Sequence, residues 1–289
     1  TIQFFYRQAK RYKGIALVML TAITLASLIS AATPYLYKIF FDTITGNKPT
    51  EEITGKLVTI ILVVLMAGIV QWILWRVGQA INGYFQPRVM ANIMDDCFEY
   101  LQGHSYKFFN NSFAGALVKK ITRLSRAFED FMDKMYWDLL PLLARTLLIL
   151  GILYYTHTLL GVIMTAWLFI FVAFNYYFSN YKLPYDIARS KADTKVSASL
   201  ADTITNSVTI KLFGGFRFEL QKFMEITGDW FRKTKKAWDL AHYVEAAQAL
   251  LMMGIEFVIM YFAIRFWKQG LLTIGDFVLI QTFLFDIFA

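Results

Sequence analysis

The sequence predicts an all-α membrane protein with six transmembrane helices and two long helical extensions into water. Three observations predict it. First, only 17% of the 289 residues are charged and 57% are hydrophobic, whereas charged residues make up roughly a quarter of a soluble domain. Second, the apolar residues fall into six runs, about 14–33, 57–75, 139–156, 159–180, 246–264 and 277–289. A helix needs about 20 residues to cross a hydrocarbon core of roughly 30 Å. Third, two polar stretches, Arg76–Asp138 and Tyr181–Glu245, are 63 and 65 residues long. Neither is rich in Gly, Pro and Ser, so neither is a linker. Each is long enough for a helix that leaves the membrane and a second that returns.

Residues 1–13 form the first element, an interfacial elbow helix. Phe4, Phe5 and Tyr6 supply apolar anchors ahead of Arg7, Lys10, Arg11 and Lys13, which suits a basic amphipathic helix lying on a bilayer. Span one rises to Pro34, and the connection 34–56 carries the turn residues Gly46, Asn47 and Pro49. From Leu57 helix formers continue to about Leu101, with Pro87 as a kink. A helix returns from about Gly115 into span three. His157 and Thr158 alone separate spans three and four, which forces an antiparallel hairpin. Span four overruns past Pro184 to about Asn206, and a chain turning near Gly214 and Gly215 comes back into span five. Span six, 13 residues within the sequence, reads as truncated.

The basic residues set the orientation. Of the 29 Lys and Arg, 23 fall in residues 1–13 and the two excursions, and five in the opposite connections. Positive charge is retained on the cytoplasmic side, so the N-terminus and both extensions, residues 76–138 and 181–245, are expected in the cytoplasm. The same asymmetry explains the net charge of +8 without nucleic acid as a partner, because the basic residues are spread along helices facing anionic lipid. Cys97 is the only cysteine, so the chain has no internal disulfide and no cysteine metal site. His242 and Glu245 have ligand spacing, but two ligands are too few for a metal site. The basic series Lys119, Lys120, Arg123 and Arg126 lies in a polar helix and reads as a solvated face.

The tips of the two extensions are aromatic. The first contains Tyr106, Phe108 and Phe109, and the second Ile210 and Phe213. Exposed apolar side chains at the ends of water-borne helices favour a docking surface; the alternative is packing within the chain. Here the sequence resembles the ABC exporter family. Tyr106-Lys-Phe-Phe109, followed by Gly115-Ala-Leu-Val-Lys-Lys-Ile-Thr-Arg123, is similar to the family's paired aromatics, Gly-Glu-Leu and basic residue. Thr209-Ile-Lys-Leu-Phe-Gly214 is similar to its Val-Lys-x-Phe-Gly turn. Gln269-Gly-Leu-Leu-Thr-Ile-Gly-Asp276 is similar to its Gly-x-x-Thr-x-Gly-Asp at the start of span six, and Thr33-Pro-Tyr-Leu36 also matches. Ala116 and Leu124 stand where the family often has Glu and Asp.

The resemblance covers the whole chain and implies the ABC exporter transmembrane domain, residues 14–289. On that reading Tyr106, Phe108, Phe109, Ile210, Lys211 and Phe213 belong to coupling helices that seat in nucleotide-binding domains. A second transmembrane domain, in a homo- or heterodimer, would complete the translocation pathway. The phosphate loop Gly-x-x-x-x-Gly-Lys-Ser/Thr is not among these residues. ATP and Mg2+ are therefore expected in a separate nucleotide-binding domain, and no catalytic residue is expected in this chain.

Ionisable residues within spans are costly and are candidates for function. Arg145, Glu256 and Asp286 are expected to line a substrate cavity, with Gln71, Asn175 and Gln281 as weaker candidates. The alternatives are an ion pair between Arg145 and an acidic partner, and interhelical hydrogen bonds for the amides. Two other functions remain open. A six-span channel would need a filter loop, which His157-Thr158 is too short to hold and which the composition of 265–276 does not supply. A membrane scaffold or receptor would use the cytoplasmic helices to bind a signalling partner.

Overall fold

The computed structural model describes residues 2–106, 108 and 114–288. Among them the chain is helical throughout, with α1 at Ile2–Lys10, α2 at Lys13–Gly46, α3 at Glu51–Gln102 and α4 at Ala114–Asp133. A π-helical turn, Lys134–Leu139, leads into α5, Leu140–Thr156. Then follow α6 at Thr158–Thr205, α7 at Ser207–Leu212, α8 at Phe216–Lys268 and α9 at Ile274–Phe288.

Five helical segments are long and apolar enough to cross a membrane: Lys13–Gly46, Glu51–Gln102, Leu117–Thr156, Thr158–Thr205 and Phe216–Lys268. At 1.5 Å per residue the 52 residues of α3 extend about 78 Å and the 53 of α8 about 80 Å. Each is more than twice the hydrocarbon thickness. Helix α9, at 15 residues, is shorter than a full span.

The chain forms two compact units. The first comprises residues 1–161 and 263–289, the second residues 162–262. In the first, α2 packs along α3, α5 and α9, and α3 packs along α4. An apolar cluster lies where α1 meets the polar ends of these helices. Phe5 of α1, Met19 and Ile23 of α2, Phe85, Val89 and Ile93 of α3, and Phe128 of α4 are buried together. Phe5 meets Phe128 edge-on at 5.4 Å. Trp75 stacks on Trp137 at 5.5 Å and 17°. The π turn supplies Trp137 and the neighbouring Tyr136, which meets Phe85. The second unit is a helical hairpin of α6 and α8 joined through α7. Trp167 Nε1 donates to the Leu251 carbonyl at 3.0 Å, and Gln248 donates to Asn175. Arg189 lies over the Trp238 ring and Lys236 over that of Tyr185.

Helix α2 does not end at Pro34, as the sequence suggests, but continues to Gly46, leaving a connection of only 47–50 before α3. Proline removes one helical hydrogen bond. Here Pro34 is buried by packing, and the Thr33 hydroxyl donates to the Ile29 carbonyl at 2.9 Å within the same turn. Thr50 caps α3, its hydroxyl accepting from the Ile53 amide, with Glu51 and Glu52 in the first turn. That is the favourable arrangement for a helix N-terminus.

Candidate coupling and pathway sites

At the first tip, α3 ends on Gly103, whose amide donates to the Glu99 carbonyl at 3.2 Å. The chain then turns back on an aromatic stack. His104 lies 4.7 Å from the Tyr100 ring and 4.3 Å from that of Phe108, and its Nδ1 is 2.8 Å from the Tyr100 carbonyl. Phe108 is thereby half-buried, while Tyr106 is 84% exposed. Phe109 lies outside the described residues.

At the second tip, α7 is a six-residue helix set between two turns. The Asn206 amide donates to Asp202 at its start, and the Phe213 amide to Thr209 at its end. Gly214 takes a φ of +65°, which an L side chain rarely adopts, and so lets the Gly215 amide reach the Ile210 carbonyl at 3.0 Å. This reversal leaves Phe213 84% exposed, with Val208, Leu212 and Phe216 exposed around it. Ile210 is half-buried and Lys211 exposed. An apolar surface of this kind far along a helix beyond membrane length has no neighbour of its own within its unit to cover it.

The expected pathway residues fall in both units. In the first, Arg145 of α5 is half-buried, with its Nε enclosed and without a hydrogen-bond partner among the described residues. Asp286 of α9 is half-buried and close enough to feel the Arg145 charge. Gln71 of α3 is also half-buried. In the second unit, Glu256 of α8 is half-buried. Asn175 of α6 donates to the Phe171 carbonyl at 2.8 Å and accepts from Gln248 of α8. Its amide is thus used between helices, the arrangement expected of polar side chains in apolar bundles.

A further polar cluster joins α2 to the start of α9. Thr273 caps α9: its hydroxyl accepts from the Asp276 amide at 3.3 Å, while Asp276 Oδ2 accepts from the Thr273 amide at 2.8 Å. This is a reciprocal capping box. The Gly275 amide donates to Asp42 Oδ1 of α2 at 2.9 Å. Lys38 lies 2.9 Å from Asp42 and 3.1 Å from the buried Asp276. Burial alone would raise the Asp42 carboxyl. Hydrogen bonds from Lys38, Thr273 and the Gly275 amide, with the Lys38 charge, outweigh it and hold the group below the usual carboxylate range. Burial likewise opposes the charge on Lys38, but its two carboxylate partners keep it above the usual lysine value.

The motif Thr273-Ile-Gly-Asp276 was legible in the sequence as a helix start, but its partners Lys38 and Asp42 were not. The available signal was their i,i+4 spacing, which places them on one helix face; it was hidden because α2 was expected to stop at Pro34.

Comparisons with known proteins agree with this architecture. The family described as the ABC transporter transmembrane region matches residues 16–288. The human mitochondrial iron-sulfur clusters transporter ABCB7 is 26% identical over 219 residues, which cover 73% of this chain and 28% of that protein. The mitochondrial iron-sulfur clusters transporter ATM1 of Gibberella zeae is 19% identical over 271 residues, covering 91% of this chain and 38% of its own. The chain thus spans about a third of the length of these relatives. A solved bacterial Atm1-family ABC exporter with ATP bound shares the fold, with a TM-score of 0.74 at 18% identity over 96% of this chain and 48% of that one. These matches favour a transporter over a scaffold or receptor. With the family matched over nearly its whole length and the fold shared with an exporter, this multi-pass membrane chain belongs to the ABC transporter transmembrane region family.

Proposed function

We propose that the chain forms half of the translocation pathway of an ATP-driven exporter and takes its motion from nucleotide-binding domains through the two helix tips. The observation that carries this reading is the exposure of aromatic side chains, Tyr106 and Phe213 at 84% each, at the ends of helices that outrun the bilayer. A long helix is stiff over its packed length, so a displacement imposed at its tip is delivered to the span as a lever motion. The half-buried Phe108 supports the first tip from within, and Gly214 sets the direction of the second.

In this reading the N-terminus, residues 76–138 and residues 181–245 face the cytoplasm, in keeping with the excess of Lys and Arg there. A second transmembrane domain completes the pathway. ATP and Mg2+ are held by the nucleotide-binding domains; bound there, they supply the free energy of closure. Arg145 of α5, Asp286 of α9, which lies within reach of its charge, and Glu256 in the second unit face the pathway and help to select cargo.

The test is made in the transporter reconstituted with its nucleotide-binding domains. Phe213→Ala and Tyr106→Ala are expected to leave nucleotide binding intact while lowering transport-coupled ATP hydrolysis about ten- to hundred-fold, the loss associated with removing a buried aromatic anchor from an interface. Unchanged transport in both variants would overturn the assignment.

A further inference from the structure

Where α1 gives way to α2, the first unit carries a groove of 380 Å³. Buried Met132 and Tyr136 and half-buried Phe131 form one side; Ala16, Leu17 and Leu20 of α2 form the other. Lys10 and Lys13 also line it and are exposed. Among the described residues no carboxylate pairs with either ammonium group. Lys13 opens α2 and the apolar run begins at the next residue, so the groove straddles the level at which the chain passes from water into hydrocarbon.

We propose that this groove seats one anionic phospholipid, with its phosphate at Lys10 and Lys13 and an acyl chain along Leu17 and Leu20. Water filling the groove would leave its hydrocarbon lining exposed, and Leu17 is still 61% exposed to whatever lies outside. A zwitterionic lipid such as phosphatidylcholine would also cover that surface and offer a phosphate, but its own choline cation offsets that charge and leaves the two ammonium groups without a net counter-charge. A protein helix would need two carboxylates at the same depth as its apolar face, whereas an anionic lipid carries both features at the bilayer boundary by construction. The site rests on the membrane placement of α2 and not on export, so its test needs neither nucleotide nor transport.

The full chain is reconstituted in symmetric phosphatidylcholine vesicles containing a photoactivatable phosphatidylglycerol, and the labelled peptides are mapped. Symmetric leaflets make the result independent of orientation. Labelling is expected at residues 13–20 and 131–136, with unlabelled phosphatidylglycerol competing at least ten-fold better than phosphatidylcholine. Lys10→Gln with Lys13→Gln is expected to weaken labelling there by about five-fold per lysine, given the attraction of one basic side chain to an anionic surface. Lys119→Gln with Lys120→Gln removes the same charge from exposed positions on α4 and is expected to change nothing. Ala16→Trp fills the groove with both lysines intact and is expected to abolish labelling. Equal competition by the neutral lipid, equal loss in the α4 control, persistence in Ala16→Trp, or no labelling of the wild type because a second copy covers the groove would each overturn the proposal.

Discussion

Gly275 shows how one residue can fix the distance between two helices. A Cβ there would lie 2.3 Å from the Lys38 carbonyl oxygen and 2.6 Å from Asp42 Oδ1, well inside contact distance, and the first obstacle is backbone. Gly275→Ala must therefore push α9 away from α2 and stretch the amide bond to Asp42. The expected cost is about 1–3 kcal/mol, as for overpacking of a close-packed interior. It is read as a lowered midpoint of thermal unfolding in detergent at fixed scan rate; an unchanged midpoint would show that the two helices can part freely. The same cluster sets a pH dependence. Asp42 is depressed, so its contribution is present above the ordinary carboxylate range and is lost as pH falls through its lowered value. Lys38 is raised, so its contribution is present below the ordinary lysine range and is lost as pH rises through its raised value. The contribution of this cluster should therefore be flat across neutral pH and fall on the acid side, and Asp42→Asn should remove that part of any acid slope. An acid limb identical in wild type and variant would mean that the cluster does not report on folding.

At the scale of the element, continuity of the long helices was legible and their ends were less so. Helix formers without a break predicted α3 to about Leu101, and it runs to Gln102. Pro34 suggested an end to α2 because proline lacks an amide donor, yet tertiary packing carried the helix through it. For Asn175 residue type and depth left a cavity wall and an interhelical hydrogen bond both open, because which way an amide faces depends on rotation about the helix axis, which composition does not determine. The apolar tips were legible because exposure at the end of a polar helix is anomalous in the sequence itself. Gln86 carries no signal in the sequence that sets it apart from a solvated amide on a polar helix. Its Nε2 donates to the Glu129 carbonyl at 3.2 Å and to Asp133 at 3.1 Å, tying α3 to α4 beside Pro87, where α3 lacks one of its own hydrogen bonds. Gln86 is 6% exposed, so Gln86→Leu keeps the volume but takes a donor from the half-buried Glu129 carbonyl and Asp133 carboxylate. A destabilisation of about 1–3 kcal/mol is expected, with faster amide exchange confined to 82–90 and 126–133. Exchange spread evenly over the first unit would argue against a local tie.

Across the whole molecule, the charge distribution makes a claim that the helices alone do not. Helices longer than the bilayer say that the chain projects from the membrane; only the 23-to-5 division of basic residues says to which side. Each misplaced basic residue near an anionic leaflet forgoes about 1 kcal/mol of attraction, so an inversion of the whole chain would forgo far more than any single helix contact could return. Single cysteines placed at Tyr106, Phe213 and Asn47 in a Cys97→Ser background convert this into an accessibility measurement. All three replaced positions are exposed, so labelling should be limited by side rather than by burial. In intact cells a membrane-impermeant maleimide is expected to label Asn47→Cys alone, and opening the membrane should add Tyr106→Cys and Phe213→Cys together. Labelling of either tip from outside would overturn the orientation and, with it, the docking of the tips on cytoplasmic ATPase domains. Tips on opposite sides would be incompatible with Leu117–Thr156 and Thr158–Thr205 each crossing the bilayer once, because those two crossings separate the two excursions.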